Sequence, residues 1–285
     1  MHAIVLSASR RTDIPAFHMP WFMEGIDRGR FEVVHPYTRK IRHVPATAPP
    51  VRVIVFWSKN FGPFLSDGCG RRLEQMGYRL FFQFTINSEC RVLEPNLPPL
   101  AERLSQLRRL CTDHGPQAVN WRFDPVCWFR EGTGPVRDNL DGLPHIAAAA
   151  AAGGIRRCTA SFMDAYPKVM RRAARRPGVA FVAPSRAQQI ETLLGMEGLL
   201  AAQGLRLFTC CEKEILDVLP RTSTITSGAC IPNDRLMALH GGRLSLERDR
   251  GQRTRAGCEC RVSVDIGSYS RHPCRHGCLY CYATP

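Results

Sequence analysis

Val51-Arg52-Val53-Ile54-Val55-Phe56-Trp57 is a near-continuous apolar run broken by a single arginine. β-Branched and aromatic residues at this density suit a strand covered on both faces, as in a parallel sheet. Comparable runs stand at Ala3–Ala8, Tyr78–Ile86, Ala118–Phe123, Leu205–Cys210 and, least apolar, Arg156–Phe162. A further run, Arg261–Ile266, alternates polar residues with Val262, Val264 and Ile266. Between the runs, Leu100–Cys111 and Ala187–Gln203 space their apolar residues on a helical period. Ala147–Ala152 is good helix former with Gly153-Gly154 as its stop. Strand–helix alternation predicts an α/β fold, specifically a partial or closed (β/α) barrel of TIM-barrel-like type. With no internal repeat and no long linker, one domain over 1–285 is expected, with a cysteine-rich region over 205–285.

The chain carries 39 Lys and Arg against 25 Asp and Glu, a formal net charge of +14. Such a surface suits an acidic electron donor such as flavodoxin or ferredoxin, or nucleic acid, although no nucleic-acid-binding motif is present. The bland alternative is an arginine-rich composition spread over solvated faces. No stretch approaches the roughly 18 apolar residues of a membrane span, so no membrane association is expected. The 13 cysteines, without a secretory leader, fit a reducing cytoplasm.

Most strand ends are polar. Ser7 to Asp13 follows the first run, Ser58-Lys59-Asn60 the second, and Thr85 and Asn87 the third. Arg122 and Asp124, then Ser161 and Asp164, then Cys210-Cys211-Glu212 follow. In a (β/α) barrel these positions form the active-site rim. Any one of them alone reads as an ordinary helix cap; together they read as a rim.

The most specific motif lies at the far end: Cys274-Arg275-His276-Gly277-Cys278-Leu279-Tyr280-Cys281. Three thiols on one short loop cannot all pair as disulfides. A structural zinc site wants four ligands, and no fourth is local. Three thiolates can hold three irons of a cubane and leave the fourth open, whereas electron carriers use four thiolates. The C-x3-C-x2-C spacing with an aromatic residue before the last cysteine resembles the signature of radical S-adenosylmethionine (SAM) enzymes. The resemblance implies a 4Fe-4S cluster, with SAM chelated at the open iron and cleaved to a 5′-deoxyadenosyl radical. In that family the motif follows the first strand of the barrel. Its position here implies a permuted arrangement, with Arg261–Ile266 parallel to and beside Ala3–Ala8; a ring of βα units tolerates such a permutation.

Ser9-Arg10-Arg11-Thr12-Asp13-Ile14-Pro15, Phe56-Trp57-Ser58-Lys59-Asn60, Arg122-Phe123-Asp124-Pro125 and Ser161-Phe162-Met163-Asp164 resemble a bacterial family of unassigned function with a C-terminal cysteine cluster. Asp265-Ile266-Gly267-Ser268-Tyr269 is the sharpest part of that resemblance outside the cysteines. It also implies a second thiol group of Cys210, Cys230, Cys258 and Cys260, with Cys211 a competitor for the place of Cys210. Four thiols suit an auxiliary 4Fe-4S cluster or a zinc site, and buried packing thiols are the plain alternative. The polar, arginine-rich setting of Cys258 and Cys260 argues against packing. Cys69, Cys90, Cys111, Cys127 and Cys158 are scattered and read as packing residues.

On this reading Cys274, Cys278 and Cys281 ligate the reactive cluster. Arg11, Asp13, Lys59, Arg122 and Asp124 are the candidate catalytic residues, and Asn60 and Tyr280 are candidates for cofactor contact. Arginine suits a two-pronged contact to the SAM carboxylate, and aspartate suits ribose hydroxyls or the amino group. Two other classes compete: a non-catalytic iron–sulfur electron-transfer protein, and a zinc-bearing nucleic-acid-binding protein.

Overall fold

A computed structural model describes residues 3–34, 38, 40–176 and 178–283. Eight parallel strands form its main sheet: β1 (Ile4–Ala8), β2 (Val51–Ser58), β3 (Arg79–Thr85), β4 (Val119–Val126), β5 (Arg157–Phe162), β6 (Arg206–Thr209), β7 (Thr226–Ser227) and β8 (Val264–Asp265). Their order across the sheet is β7-β6-β5-β4-β3-β2-β1-β8. Each strand through β7 therefore lies beside its predecessor, which is the winding of a (β/α) barrel. β8 takes the free side of β1, parallel to it, with Leu6 opposite Val264 and Ser7 opposite Asp265. Among the described residues β7 and β8 remain the two edges of the sheet, and no ladder joins them.

Strand alternation sorts the sheet into two faces. Ile54 and Phe56 of β2, Leu80, Phe82 and Phe84 of β3, and Trp121 and Phe123 of β4 join the core beneath the helices. That core is aromatic: Phe56 stacks on Phe82 with centroids 6.1 Å apart, and Phe61 meets Phe84 edge-on at 4.9 Å. Helices Leu100–His114, Leu143–Ala152 and Arg186–Ala202 cover this face. Leu143–Ala152 starts with proline in its first turn, Arg186–Ala202 with the reciprocal capping pair of Ser185 and Gln188, and Leu100–His114 with Pro99 at its N-cap and its first amide bonded to Glu89. The opposite face is the one that positions the site. It carries Val5, Val53, Val55 and Phe81 near the strand starts, then Gln83, Asn120, Arg122, Thr159 and Ser161, all buried. These polar groups satisfy one another: Asn120 Nδ2 donates to Gln83 Oε1 at 2.8 Å and to Thr159 Oγ1 at 3.3 Å.

Two smaller sheets interrupt the winding. Arg30–Val34 pairs antiparallel with Ile41–Pro45 between β1 and β2. Trp128–Glu131 pairs with Val136–Asp138 and with Val179–Val182 beyond β4 and β5. Among the described residues, no helix is long and apolar enough to cross a membrane.

Candidate functional site

A cavity of about 540 Å³ opens where the strands of the main sheet end. Arg10 and Arg11 after β1, Trp57 and Lys59 at the end of β2, Arg122 and Asp124 on β4, and Ser161 on β5 line it. Cys210 and Cys211 after β6, Cys230 after β7, Asp265 on β8, and Tyr280 and Cys281 complete much of the remaining wall. The polar strand ends thus converge, as the topology requires.

Arg122 donates to Cys230 Sγ and, at 2.6 Å, to Asp124 Oδ2. Burial favours its neutral form, but the facing Cys230 and Asp124 outweigh burial and hold the guanidinium well above its usual value. Asp124 also accepts from Ser161 Oγ and, at its backbone N–H, donates to Asn87 Oδ1 at 2.8 Å. Lys59 Nζ lies 2.7 Å from Glu94 Oε1 and 5.4 Å from the centre of the Tyr280 ring. Burial opposes its charge, yet Glu94 keeps the ammonium above its ordinary value. Tyr280 is buried, donates to Glu94 and accepts from Asn87 Nδ2 at 3.0 Å. Arg11 stands 3.4 Å from Asp265 and donates to the Gly267 carbonyl at 3.3 Å.

Asp13 and Asn60 are not on the cavity wall. Asp13 caps helix Ile14–Phe17 through Ala16 N and accepts from Ser58 Oγ, Lys59 N and His276 Nε2. Asn60 Oδ1 accepts from Gly62 N and Gln106 Nε2, which fixes the start of helix Gly62–Ser66. Both brace the loops that carry the cavity residues.

The Cys274–Cys281 loop leans on the β3–β4 connection. Asn96 Nδ2 donates to the Arg275 carbonyl at 2.9 Å, and Leu279 N to the Leu93 carbonyl at 2.8 Å. Arg172 donates to the carbonyls of Leu279 and Cys281. Cys281 faces the cavity, and Cys278 is buried near Lys59 and Glu94. Burial pushes the Cys274 thiol up to about 12 and raises Cys278 well above the usual thiol value. Thiolate is the ligating form, so metal uptake here must release protons. All 13 cysteines are free.

The second thiol group gathers in one place. Cys210 Sγ is 3.6 Å from Cys230 Sγ and 3.7 Å from Cys211 Sγ. Cys258 and Cys260 belong to the same buried cluster as Cys210 and Cys230, and Cys211 packs against it. All five thiols line the cavity. Cys258 and Cys260 are buried beside Val53, Val55 and Ile231, which corrects the expectation that their setting is too polar for packing. Arg248, Arg250 and Arg255 are exposed, whereas Arg253 lines the cavity and pairs with Asp164. The segment is folded back by Arg261 N bonding to the Ile231 carbonyl at 3.0 Å. Among the described residues no group of three or more His, Cys, Asp or Glu is placed about a single metal ion. Cys211 holds φ 64°, the one positive-φ residue other than glycine among those described. Of the scattered cysteines, Cys69, Cys111 and Cys158 pack in the main core and Cys127 in a smaller one.

Glu94 and Asp265 were not among the candidate side chains. Glu94 sits in an irregular loop, where no periodicity marks it. Asp265 carries a readable signal, because the alternation of Val264 and Ile266 places it on the opposite face from both. It accepts from Ser7 Oγ at 2.7 Å, Ser9 Oγ at 3.2 Å and Arg10 N at 2.9 Å.

Fold and site together define a parallel α/β protein whose strand ends open on a cavity lined by thiols and paired charges. Over residues 5–283 the sequence matches the family described as "Domain of unknown function (DUF1848)", and the chain belongs to that family. No curated protein and no solved structure matches it.

Proposed function

We propose that this chain is a radical SAM enzyme of permuted (β/α) architecture, acting on a substrate held in the strand-end cavity. Support comes above all from the place of the Cys274–Cys281 loop. It follows β8, β8 lies beside β1, and Cys281 opens onto the cavity that the other strand ends share. Soft thiolate donors from one loop suit iron held at three corners, with one iron left for SAM. When bound, the cluster supplies the electron that cleaves the sulfonium of SAM and so starts radical chemistry.

The chain's own residues bind and orient. Arg11 presents a guanidinium group suited to a carboxylate, Arg122 is committed to Asp124 and Cys230 Sγ, and Asp124 offers acceptor oxygens to hydroxyl or amino groups. Lys59, held charged by Glu94, places a cation against Tyr280 beside the third cysteine. Asp13 and Asn60 act one step back, fixing the loops that carry Lys59 and His276. The second thiol group is the place for an auxiliary 4Fe-4S cluster, with zinc the lesser alternative. The basic surface fits an acidic donor of flavodoxin or ferredoxin type.

The test is anaerobic reconstitution with iron and sulfide, then an assay for 5′-deoxyadenosine from SAM under reduction. Cleavage is expected, and replacing Cys274, Cys278 and Cys281 by Ala should abolish it. A triple variant that still released 5′-deoxyadenosine would sink the proposal. Iron uptake without cleavage would leave an electron carrier. Zinc in place of iron, with salt-dependent binding of nucleic acid, would leave the zinc-bearing nucleic-acid-binding alternative.

A further inference from the structure

Two guanidiniums share one indole ring at the edge of the second thiol group. The Arg10 and Arg122 guanidinium carbons lie 5.5 and 5.6 Å from the centre of Trp57. Trp57 is itself anchored, its Nε1 donating to Ser7 Oγ at 3.0 Å. Like charges brought to one ring repel, so the arrangement needs anions around it. Asp124 serves Arg122 at 2.6 Å, while Asp265 and Asp249 lie near Arg10. The remaining anionic direction for both is sulfur. Arg122 is 5% exposed and gives one N–H to Cys230 Sγ, and Arg10 lines the same cavity wall as Cys230 and Cys260.

We infer that Arg122 and Arg10, held by Trp57, form a cationic clamp on an iron–sulfur cluster bound by Cys210, Cys230, Cys258 and Cys260, and that the clamp raises the reduction potential of that cluster. The inference rests on the auxiliary-cluster part of the function proposed above and is independent of SAM cleavage. Four thiolates on one cluster leave net negative charge, and reduction adds more. Nearby cations and N–H···S bonds favour the more negative, reduced state, and hydrogen bonds to sulfur are among the main determinants of cluster potentials. A closed structural zinc site is the poorer fit, because these sulfurs lie on the wall of an open cavity among charged side chains rather than in a sealed knot. Arg122 is a positioning residue on this account: it touches sulfur and holds charge, and reacts with nothing.

The experiment uses the full chain with Cys274, Cys278 and Cys281 replaced by Ala, so that only the second site can hold iron. After anaerobic reconstitution this protein should retain about four irons and a reversible cluster signal on titration with dithionite. In that background Arg122→Met should lower the midpoint potential, Arg10→Met should lower it less, and Arg122→Lys should recover part of the loss. Removing Arg122 leaves Asp124 buried and unpaired, so Arg122→Met is also made with Asp124→Asn to keep a folded protein available. Loss of all iron in the three-cysteine variant, or zinc as the bound metal, overturns the inference. So does a potential in the folded Arg122→Met/Asp124→Asn protein equal to that of Asp124→Asn alone, the reference that separates loss of the guanidinium from loss of the carboxylate. A failure of SAM cleavage in the native chain bears on the function proposed above and leaves these outcomes readable.

Discussion

His276 Nε2 lies 2.8 Å from Asp13 Oδ2, tying the middle of the cysteine loop to the residue that caps the chain's first helix. The same carboxylate accepts from Ala16 N at 3.0 Å, Ser58 Oγ at 2.7 Å and Lys59 N at 2.9 Å. A buried carboxylate with four donors is committed to the fold. Asp13→Ala should therefore cost about 3 kcal/mol, because several buried donors lose their acceptor together. Urea unfolding measures the loss, and alkylation of Cys274 and Cys278 by iodoacetamide should quicken in the apo protein. A change within about 0.5 kcal/mol, the range of ordinary surface substitutions, would contradict this role.

Asp265 does for the sheet edge what Asp13 does for the loop. Only two residue pairs join β8 to β1, so the carboxylate that takes Ser7, Ser9 and the Arg10 amide carries much of that junction. Asp265→Ala should destabilise the protein by about 2 kcal/mol, because Ser7, Ser9 and the Arg10 amide lose a half-buried charged acceptor together. A local readout separates this from general damage. The Ile266 amide bonds to the Ser7 carbonyl at 3.0 Å, and its hydrogen-exchange protection should fall before that of β3 or β4. Retained protection at Ile266 would show that the edge is held by something else.

The main sheet was legible because its strands are buried on both faces. Val51–Trp57 and Tyr78–Ile86 became β2 and β3 within a residue or two, since a run that dense has few other ways to avoid water. Arg261–Ile266 was legible in direction and neighbour but not in length; only Val264–Asp265 pairs with β1, because the Arg261 and Val262 amides go to the Ile231 and Glu247 carbonyls and Gly267 turns the chain with φ 88° straight after Ile266. The smaller sheets were missed. Arg30–Val34 and Ile41–Pro45 are short and half exposed, and their pairing depends on a partner strand rather than on their own pattern. In the site, strand ends gave Lys59, Arg122 and Asp124, because their position follows from strand order. Glu94 sits on a loop whose path is set by contacts with Lys59, Arg103 and the cysteine loop, and those contacts are tertiary.

Cys211 is held in a backbone conformation that suits glycine. A residue with a Cβ costs about 1 kcal/mol there, and glycine relieves it while loosening the unfolded chain. Cys211→Gly in the apo protein should thus be neutral or stabilising by up to about 1 kcal/mol, whereas Cys211→Val should destabilise by more than that. Thermal unfolding of the two variants decides it. If valine were tolerated as well as glycine, the left-handed conformation would not be a constraint of the fold.

Glu94 makes a prediction in pH. Its Oε1 accepts from Lys59 Nζ at 2.7 Å, from Asn87 Nδ2 at 3.2 Å and from the Tyr280 hydroxyl. Arg103 stands 3.8 Å from the other oxygen. Burial is the largest single influence and acts to raise the carboxyl's pKa; the Lys59 charge and the hydrogen bonds from Lys59 and Tyr280 together outweigh it and hold it below the usual range. A carboxyl depressed on folding contributes stability that is fully present above its unfolded value of about 4.3 and lost as pH falls through the lower folded value. The partner's contribution runs the other way, since Lys59 is raised on folding and loses its share only above about pH 10. Between those limits the pair is intact. Glu94→Gln should therefore cost about 3–5 kcal/mol from about pH 5 to 8, by leaving Lys59 buried without its counter-ion. Below about pH 4 the gap should begin to shrink, and it should close only as pH falls through the lower folded value, where the native carboxyl is protonated as well. Denaturant unfolding of both proteins across that range reads the difference directly. A gap that stayed constant into acid would mean that the ion pair is not the source of the stability, and that Glu94 acts through its shape and its hydrogen bond to Tyr280.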